Sequence, residues 1–508
     1  MSEVAKTQPE PEEHGAPRRS MGRNFLHLGV GQVGTTVLAL LLSAMLGRSL
    51  TEAQFGDYTV FVRNYLFAFV VVDWGQTQYL MREVARRPER SGALLGGALA
   101  IRIGGGLLAA AVVGAVTFSL LGWPLETSLL GVLALLTMLP GFLAQGYGHV
   151  FRGRERMEND ALVNVLNKLL TVVCTAVLLR AGLGLPGAIV AQLAAGAGAL
   201  AVAMALARRL GASARAPNGP VVRELLVGGT PIVMMYLASE AQRSIDSNLV
   251  KALVPPDVLG WFGAANFFLG TLMAPAVILG GATFPRLARA ARDRLQFRAE
   301  LAAGLRPVLL MAGYVTVGTL VCAHLAVDVV LGTDRYDAAG TLLQVYAPSF
   351  FLFFVDMLLG AAIVASGRAL SMALAKVVNV ATSTALGLWL VPVFQAQHGN
   401  GGLGAAIAYG ASELIMLASI LAILPRGSVG RGFAVDFGRA LVTAGGAVAA
   451  VFLLRPLGWS PWGSSPWTST VVALVLATAV FAALAWATRL VTRSELERLT
   501  ALVRRRGA

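Results

Sequence analysis

The chain has 508 residues, 56% of them hydrophobic and only 13% charged, a balance that excludes a soluble globular fold of this length. Its net charge of +14 invites a nucleic-acid reading, but the basic residues are sorted by position in a way that marks membrane topology instead, so no nucleic-acid partner is expected. Its two cysteines, Cys174 and Cys322, both fall in apolar stretches, so no disulfide framework is implied.

Residues 1–22 are polar, first acidic (Glu10, Glu12, Glu13) and then basic (Arg18, Arg19), with no apolar signal-peptide core; a disordered tail is expected here. From residue 24 to 488 follow fourteen mostly apolar segments of roughly 18–30 residues, each long enough to cross a ~30 Å hydrocarbon core at ~1.5 Å per residue. The predicted spans are 24–46, 58–80, 93–121, 128–148, 161–181, 187–207, 226–249, 259–283, 307–331, 341–365, 374–394, 402–424, 440–458 and 468–488. The loop from Trp459 to Trp467, with Pro461 and Pro466, reads as an aromatic interfacial anchor. The basic segment Arg489–Arg506 reads as an amphipathic interfacial helix or a solvated tail.

Basic residues fall in every second gap. The gaps after even-numbered spans hold Arg82, Arg86, Arg87 and Arg90, then Arg152, Arg154 and Arg156, then Arg208, Arg209, Arg215 and Arg223. The series continues with Arg286 to Arg306, Arg368 with Lys376, and Arg426, Arg431 and Arg439. The odd gaps hold Arg48, Arg180, Lys251, Arg335 and Arg455. With the tails, 32 of the 41 Lys and Arg lie on one side, 5 on the other and 4 within spans. Cytoplasmic loops carry the Lys/Arg excess, so both termini are expected in the cytoplasm.

The chain repeats itself. Phe55-Gly56-Asp57-Tyr58 enters span two and Arg82-Glu83-Val84-Ala85-Arg86 leaves it. Leu259-Gly260-Trp261-Phe262 enters span eight and Arg286-Leu287-Ala288-Arg289 leaves it, at an ungapped offset of 204 residues. Gly153-Arg154, Asn164, Asn167 and Gly187-Ala188-Ile189 match Gly367-Arg368, Asn379 and Gly404 to Ile407. The expected architecture is all-α: a six-helix bundle over 23–207, a linker over 208–225 and a second bundle over 226–424. Two further helices over 425–488 and the basic tail 489–508 follow. An even number of spans per repeat puts the pseudo-two-fold axis along the membrane normal, around a central cavity.

Charges inside spans are costly, at least ~2.5–3.5 kcal/mol at the bilayer centre, and should face protein or a watery cavity. Arg243, Arg102, Arg63 and Lys168 are the candidate headgroup-binding cations, because guanidinium stays charged and grips phosphate oxygens in pairs. The competing reading is structural, with Arg243 paired to Asp246 and with Arg63 and Lys168 snorkelling to an interface. Asp246, Glu240, Asp356 and Glu413 are candidates for ion or proton coupling, against roles as arginine partners; Asp73 lies near a span end. Nucleotide-binding loops and metal-ligand spacing of the five histidines are absent, so no cofactor, metal or catalytic residue is expected.

Leu46-Gly47-Arg48, Phe55-Gly56-Asp57-Tyr58, Asp73-Trp74-Gly75, Arg82-Glu83, Gly153-Arg154…Asn167 and Gly367-Arg368…Asn379 together resemble the polysaccharide-biosynthesis flippases of the multidrug/oligosaccharidyl-lipid/polysaccharide exporter superfamily, over roughly residues 22–425. The resemblance implies a bacterial inner-membrane flippase carrying a polyprenyl-pyrophosphate-linked oligosaccharide from the cytoplasmic to the outer leaflet by rocking two bundles around a cationic cavity, for O-antigen or exopolysaccharide synthesis. It implies membrane lipids, a polysaccharide polymerase and a chain-length regulator as partners. Fourteen spans is similar to the peptidoglycan lipid-precursor branch, so that flippase stays an alternative, with a cation-coupled multidrug exporter and a membrane glycan ligase or polymerase.

Overall fold

The computed structural model describes residues 21–332, 335–454 and 466–491. Among them every regular element is helical: fifteen α-helices and one short 3₁₀ turn, Pro88–Arg90. The fold is the all-helical one expected of a chain in lipid, where only a helix pairs all its backbone groups within one segment.

The first seven α-helices are α1 (Met21–Ser49), α2 (Glu52–Asp73), α3 (Gln76–Arg86), α4 (Ser91–Ser119), α5 (Leu125–Gly153), α6 (Met157–Arg180) and α7 (Gly184–Arg209). Next come α8 (Gly219–Leu253), α9 (Pro256–Ala290), α10 (Arg294–Leu331), α11 (Asp337–Ala365), α12 (Ala369–His398) and α13 (Gly401–Ile423). α14 (Arg431–Leu454) and α15 (Pro466–Ala487) close the chain. Twelve helices are long and apolar enough to cross a membrane among the described residues, which makes this a multi-pass membrane protein. The remaining long helices are α1 and α8.

Local chemistry sets the boundaries. The Thr51 side chain accepts from the Gln54 N–H and the Thr51 N–H donates to Gln54 Oε1, both at 3.3 Å, a capping box that starts α2. Span two was expected to run to residue 80, but Trp74 (φ 45°) and Gly75 (φ 73°) both adopt the left-handed region and stop α2 at Asp73. The chain restarts as the amphipathic α3, with Tyr79, Leu80 and Val84 buried. Other helices overrun their predicted spans: α10 begins at Arg294 rather than 307, because its first three turns are amphipathic, with Phe297, Leu301 and Leu305 buried. The predicted tail over 1–22 lies outside the described residues except Met21 and Gly22, which open α1. The aromatic loop and the basic C-terminal segment fall outside them too, apart from Pro466–Trp467 and residues 489–491.

Helix packing repeats along the chain. α1 packs on α6 as α8 does on α12; α4 packs on α5 as α10 does on α11; α6 packs on α7 as α12 does on α13. The exchange between halves is reciprocal, since α4 reaches α8 and its counterpart α10 reaches α1. Small residues permit the close approaches, as expected where lipid gives helices no hydrophobic drive to associate. Ala191, Ala195, Ala199, Ala203 and Ala207 are fully buried along one face of α7, and a Cβ on Gly196 would fall 2.6 Å from the Gly141 nitrogen of α5. α11 lies at the centre of the second half, with Ala347, Phe350, Phe354 and Leu358 fully enclosed by α9, α10 and α13. α14 and α15 pack on each other and on α10, where Val317 and Val321 meet Ala447, Val451 and Phe481.

The halves meet where the repeat motifs lie. Gly56 of α2 sits against Gly260 of α9, so that a Cβ on Gly56 would lie 2.9 Å from the Gly260 nitrogen. A Cβ on Gly263 would lie 2.5 Å from Thr59 Oγ1. Both contacts join residues 204 apart, the offset of the internal duplication.

A candidate substrate cavity

A cavity of about 700 Å³ opens between the halves, beyond the Gly56–Gly260 crossing, walled by α1, α2, α8, α9, α11 and α13. Arg63 enters it from α2, and Arg243 and Asp246 from α8. The Arg63 guanidinium donates to the Asn266 carbonyl at 3.3 Å. Arg243 pairs with Glu240 one turn away, and its side chain remains 40% exposed. That leaves guanidinium donors turned to the cavity, since a single carboxylate oxygen engages only one of them. Asp246 meets Ser383 of α12 at 3.4 Å. Facing these charges is an apolar wall on α9 (Leu269, Met273, Val277, Ile278), with Val277 and Ile278 more than half exposed. The Tyr346 and Tyr409 rings, 5.8 Å apart, close the side toward α11 and α13.

A smaller space of about 200 Å³ shares Arg63, Phe262 and Asn266 with the cavity and adds Lys168 of α6. The structure thus brings Arg63, Arg243 and Asp246 together, with Lys168 one chamber away. Glu240 reaches the site only through Arg243. Asp356 and Glu413 lie beside one another behind the Tyr409 wall, 3% and 1% exposed.

Arg102 is elsewhere. It is fully buried among α2, α4 and α5, where it pairs with Asp73, donates to the Phe142 carbonyl at 2.6 Å and lies 4.2 Å over the Phe142 ring. Both terminal guanidinium nitrogens are engaged by the protein itself, and the Nε is buried without a hydrogen-bond partner. Asp73, its partner, lines a separate chamber of about 360 Å³ with Phe69, Phe142 and Val233.

Each end of the cavity is bridged between halves. At the arginine-poor end Lys251 pairs with Asp57, its Nζ 4.2 Å from the Trp123 ring, and Arg335 reaches Glu52 and the carbonyls of Gly47, Arg48 and Leu50 at 3.3–3.8 Å. Midway, Asn64 of α2 accepts from Ser244 (2.8 Å) and Asn248 (2.6 Å) of α8. At the arginine-rich end Trp74 Nε1 donates to Thr230 at 3.0 Å and Arg90 grips both oxygens of Glu224 at 3.2 and 2.8 Å. That bidentate bond holds the Glu224 carboxyl below its ordinary pKa. Sequence reasoning missed Asn64, Ser244, Asn248 and the Lys251–Asp57 pair. The legible signal was the polar run from Glu240 to Asn248 inside an otherwise apolar helix.

Three comparisons bear on this architecture. A structure of the lipid II flippase MurJ, in an inward closed conformation, superposes with a TM-score of 0.70 at 12% identity, covering 91% of this chain and 98% of that one. An inward-facing multidrug resistance MATE family transporter of the MOP superfamily gives 0.61 at 14% identity, over 79% and 97%. A MOP superfamily transporter from Pyrococcus furiosus gives 0.55 at 14% identity, over 84% and 97%. At these identities the likeness is one of fold. No curated protein matches by sequence. Residues 21–291 match the family model described as polysaccharide biosynthesis protein, more than half of the chain. With that match, the repeat-related packing and the cavity between halves, the chain belongs to the polysaccharide biosynthesis protein family, whose members are membrane transporters rather than enzymes.

Proposed function

We propose that this protein is an inner-membrane flippase that carries a polyprenyl-pyrophosphate-linked oligosaccharide from the cytoplasmic to the outer leaflet. The observation that carries the reading is the composition of the cavity: Arg63 and Arg243 stand opposite an apolar α9 wall, in a space of about 700 Å³. Such a ligand is amphiphilic. Its pyrophosphate requires fixed cations with several donors, which guanidinium supplies, and its isoprenoid requires an apolar path, which α9 offers. The arginine-rich end faces the cytoplasm in this reading, by the Lys/Arg asymmetry.

The halves rock about the α2–α8 and α2–α9 contacts, opening the cavity to one leaflet and then the other. Asp246, on the cavity wall, and Asp356 with Glu413 behind it carry the coupling proton or cation. Acids on three different helices change their mutual repulsion when such an ion enters or leaves, and so can bias the rocking. The delivered unit is passed on the outer surface to a polymerase and its chain-length regulator.

The test is the leaflet location of lipid-linked oligosaccharide in cells depleted of the protein, read with a membrane-impermeant glycan-modifying reagent on spheroplasts. Intermediate accumulating in the shielded, cytoplasmic leaflet and released by re-expression supports the flippase. An outward-exposed pool unchanged by depletion overturns it.

A further inference from the structure

Away from the cavity, the arginine-rich ends of α10 and α14 enclose another pocket of about 350 Å³. One wall is apolar, formed by Leu301, Leu305, Val429 and Phe433. The other is basic. Arg298 lines it and makes no hydrogen bond or ion pair among the described residues. Arg306 donates from Nε to Asp436 at 3.0 Å, and Arg439 donates to the same carboxylate at 3.0 Å. Asp436 is therefore shared by two guanidinium groups, and the lining keeps a positive balance.

Two further features point into the same space. Ser428, 4% exposed, lines the pocket, and its hydroxyl has no hydrogen-bond partner. A buried hydroxyl left unpaired carries a desolvation cost that a ligand acceptor or donor would recover. The pocket also receives the first turn of α14, a 24-residue helix; its Phe433 N–H donates to the Gly430 carbonyl at 3.0 Å, and the Arg431 and Gly432 N–H groups have no acceptor within the helix. Gly430 makes room for the cation: a Cβ there would lie 2.7 Å from the Arg298 Cζ. The turn from Pro425 to Ser428, with Gly427 at φ 81°, sets these groups in place.

We propose that this pocket binds a phosphate-group anion, held by Arg298, the Ser428 hydroxyl and the α14 N-terminus. The apolar wall and the position of the pocket, just before the apolar runs of α10 and α14 begin, suit the headgroup of an anionic phospholipid whose acyl chains continue along α10 and α14. The site is separate from the transport cavity, and its ligand stays in the leaflet rather than being carried across.

Full-length protein in zwitterionic detergent micelles would be titrated with short-chain phosphatidylglycerol, short-chain phosphatidylcholine and inorganic phosphate, reading the melting temperature and the number of lipids retained by native mass spectrometry. One retained phosphatidylglycerol is expected, with Arg298→Gln and Gly430→Leu each weakening it by about ten-fold or more and Ser428→Ala by a few-fold. Arg289→Gln, the same charge change at an exposed position on α9, should leave it unaffected. Competition by inorganic phosphate at equal concentration assigns the site to the phosphate group alone; phosphatidylglycerol binding that phosphate does not displace assigns it to the lipid. Phosphatidylglycerol binding equally to wild type, Arg298→Gln and Gly430→Leu, or phosphatidylcholine retained as well as phosphatidylglycerol with no binding of inorganic phosphate, overturns the proposal. Should Arg298→Gln lose its folding transition, Ser428→Ala, which removes a single unpaired hydroxyl, keeps the question decidable.

Discussion

Arg102 and Arg243 carry the same chemistry at similar depth in the chain's hydropathy pattern, yet their surroundings give them opposite roles. Arg102 is fully enclosed, paired with Asp73 and stacked on Phe142. Truncating it leaves a carboxylate without its cation inside the first half. Arg102→Ala should cost about 3–5 kcal/mol and sharply reduce the yield of folded protein, as seen by detergent melting and chromatography. Arg243 is bonded to Glu240 on its own helix and 40% exposed to the cavity. Pairs that exposed contribute about 0–1 kcal/mol, so Arg243→Ala should melt like the wild type while its flipping rate falls ten-fold or more. Equal transport by Arg243→Ala would remove the arginine from the headgroup site.

Among the elements, α2, α8 and α9 make the contacts about which the proposed rocking turns. α2 carries a polar stripe (Asp57, Arg63, Asn64) that meets Lys251, Asn266 and Asn248 of its partners. Its Gly56 lets α9 approach to backbone contact, and a Cβ on Gly260 would collide with the Glu52 carbonyl oxygen. Gly260→Val should therefore splay the arginine-poor ends, at an overpacking cost of about 1–3 kcal/mol. An Asn266→Cys thiol in the cavity reads this out: labelling by an impermeant maleimide from the arginine-poor side should rise in the Gly260→Val background. Unchanged labelling would show that this crossing does not seal the cavity. Chain punctuation on the same helices was partly visible in advance. The Asp73-Trp74-Gly75 turn could be seen, but not that it splits α2 from α3, because a left-handed Trp74 depends on its indole finding Thr230 of α8.

For the whole molecule, the proposed rocking requires that the crossing at Thr59 and Gly263 come apart in each cycle. A Cβ on Gly263 would lie 3.2 Å from the Thr59 Cβ, within a small adjustment of the ~3.8 Å that a disulfide prefers. In a background with Cys174→Ala and Cys322→Ala, the Thr59→Cys, Gly263→Cys protein should lose flipping on oxidation and regain it on reduction. Full activity of the cross-linked protein would mean the halves do not separate there. The sequence by itself determined the class of the molecule: long apolar runs fix helices in lipid, alternating arginine predicts orientation, and the 204-residue offset fixes the internal repeat. These are one-dimensional properties, written in residue type and spacing. Only the tertiary structure decided which intramembrane charges share a cavity. A helix presents each side chain at a fixed angle, but the neighbour at that angle comes from elsewhere in the chain: Phe142 and Asp73 for Arg102, and the open space beside α9 for Arg63 and Arg243.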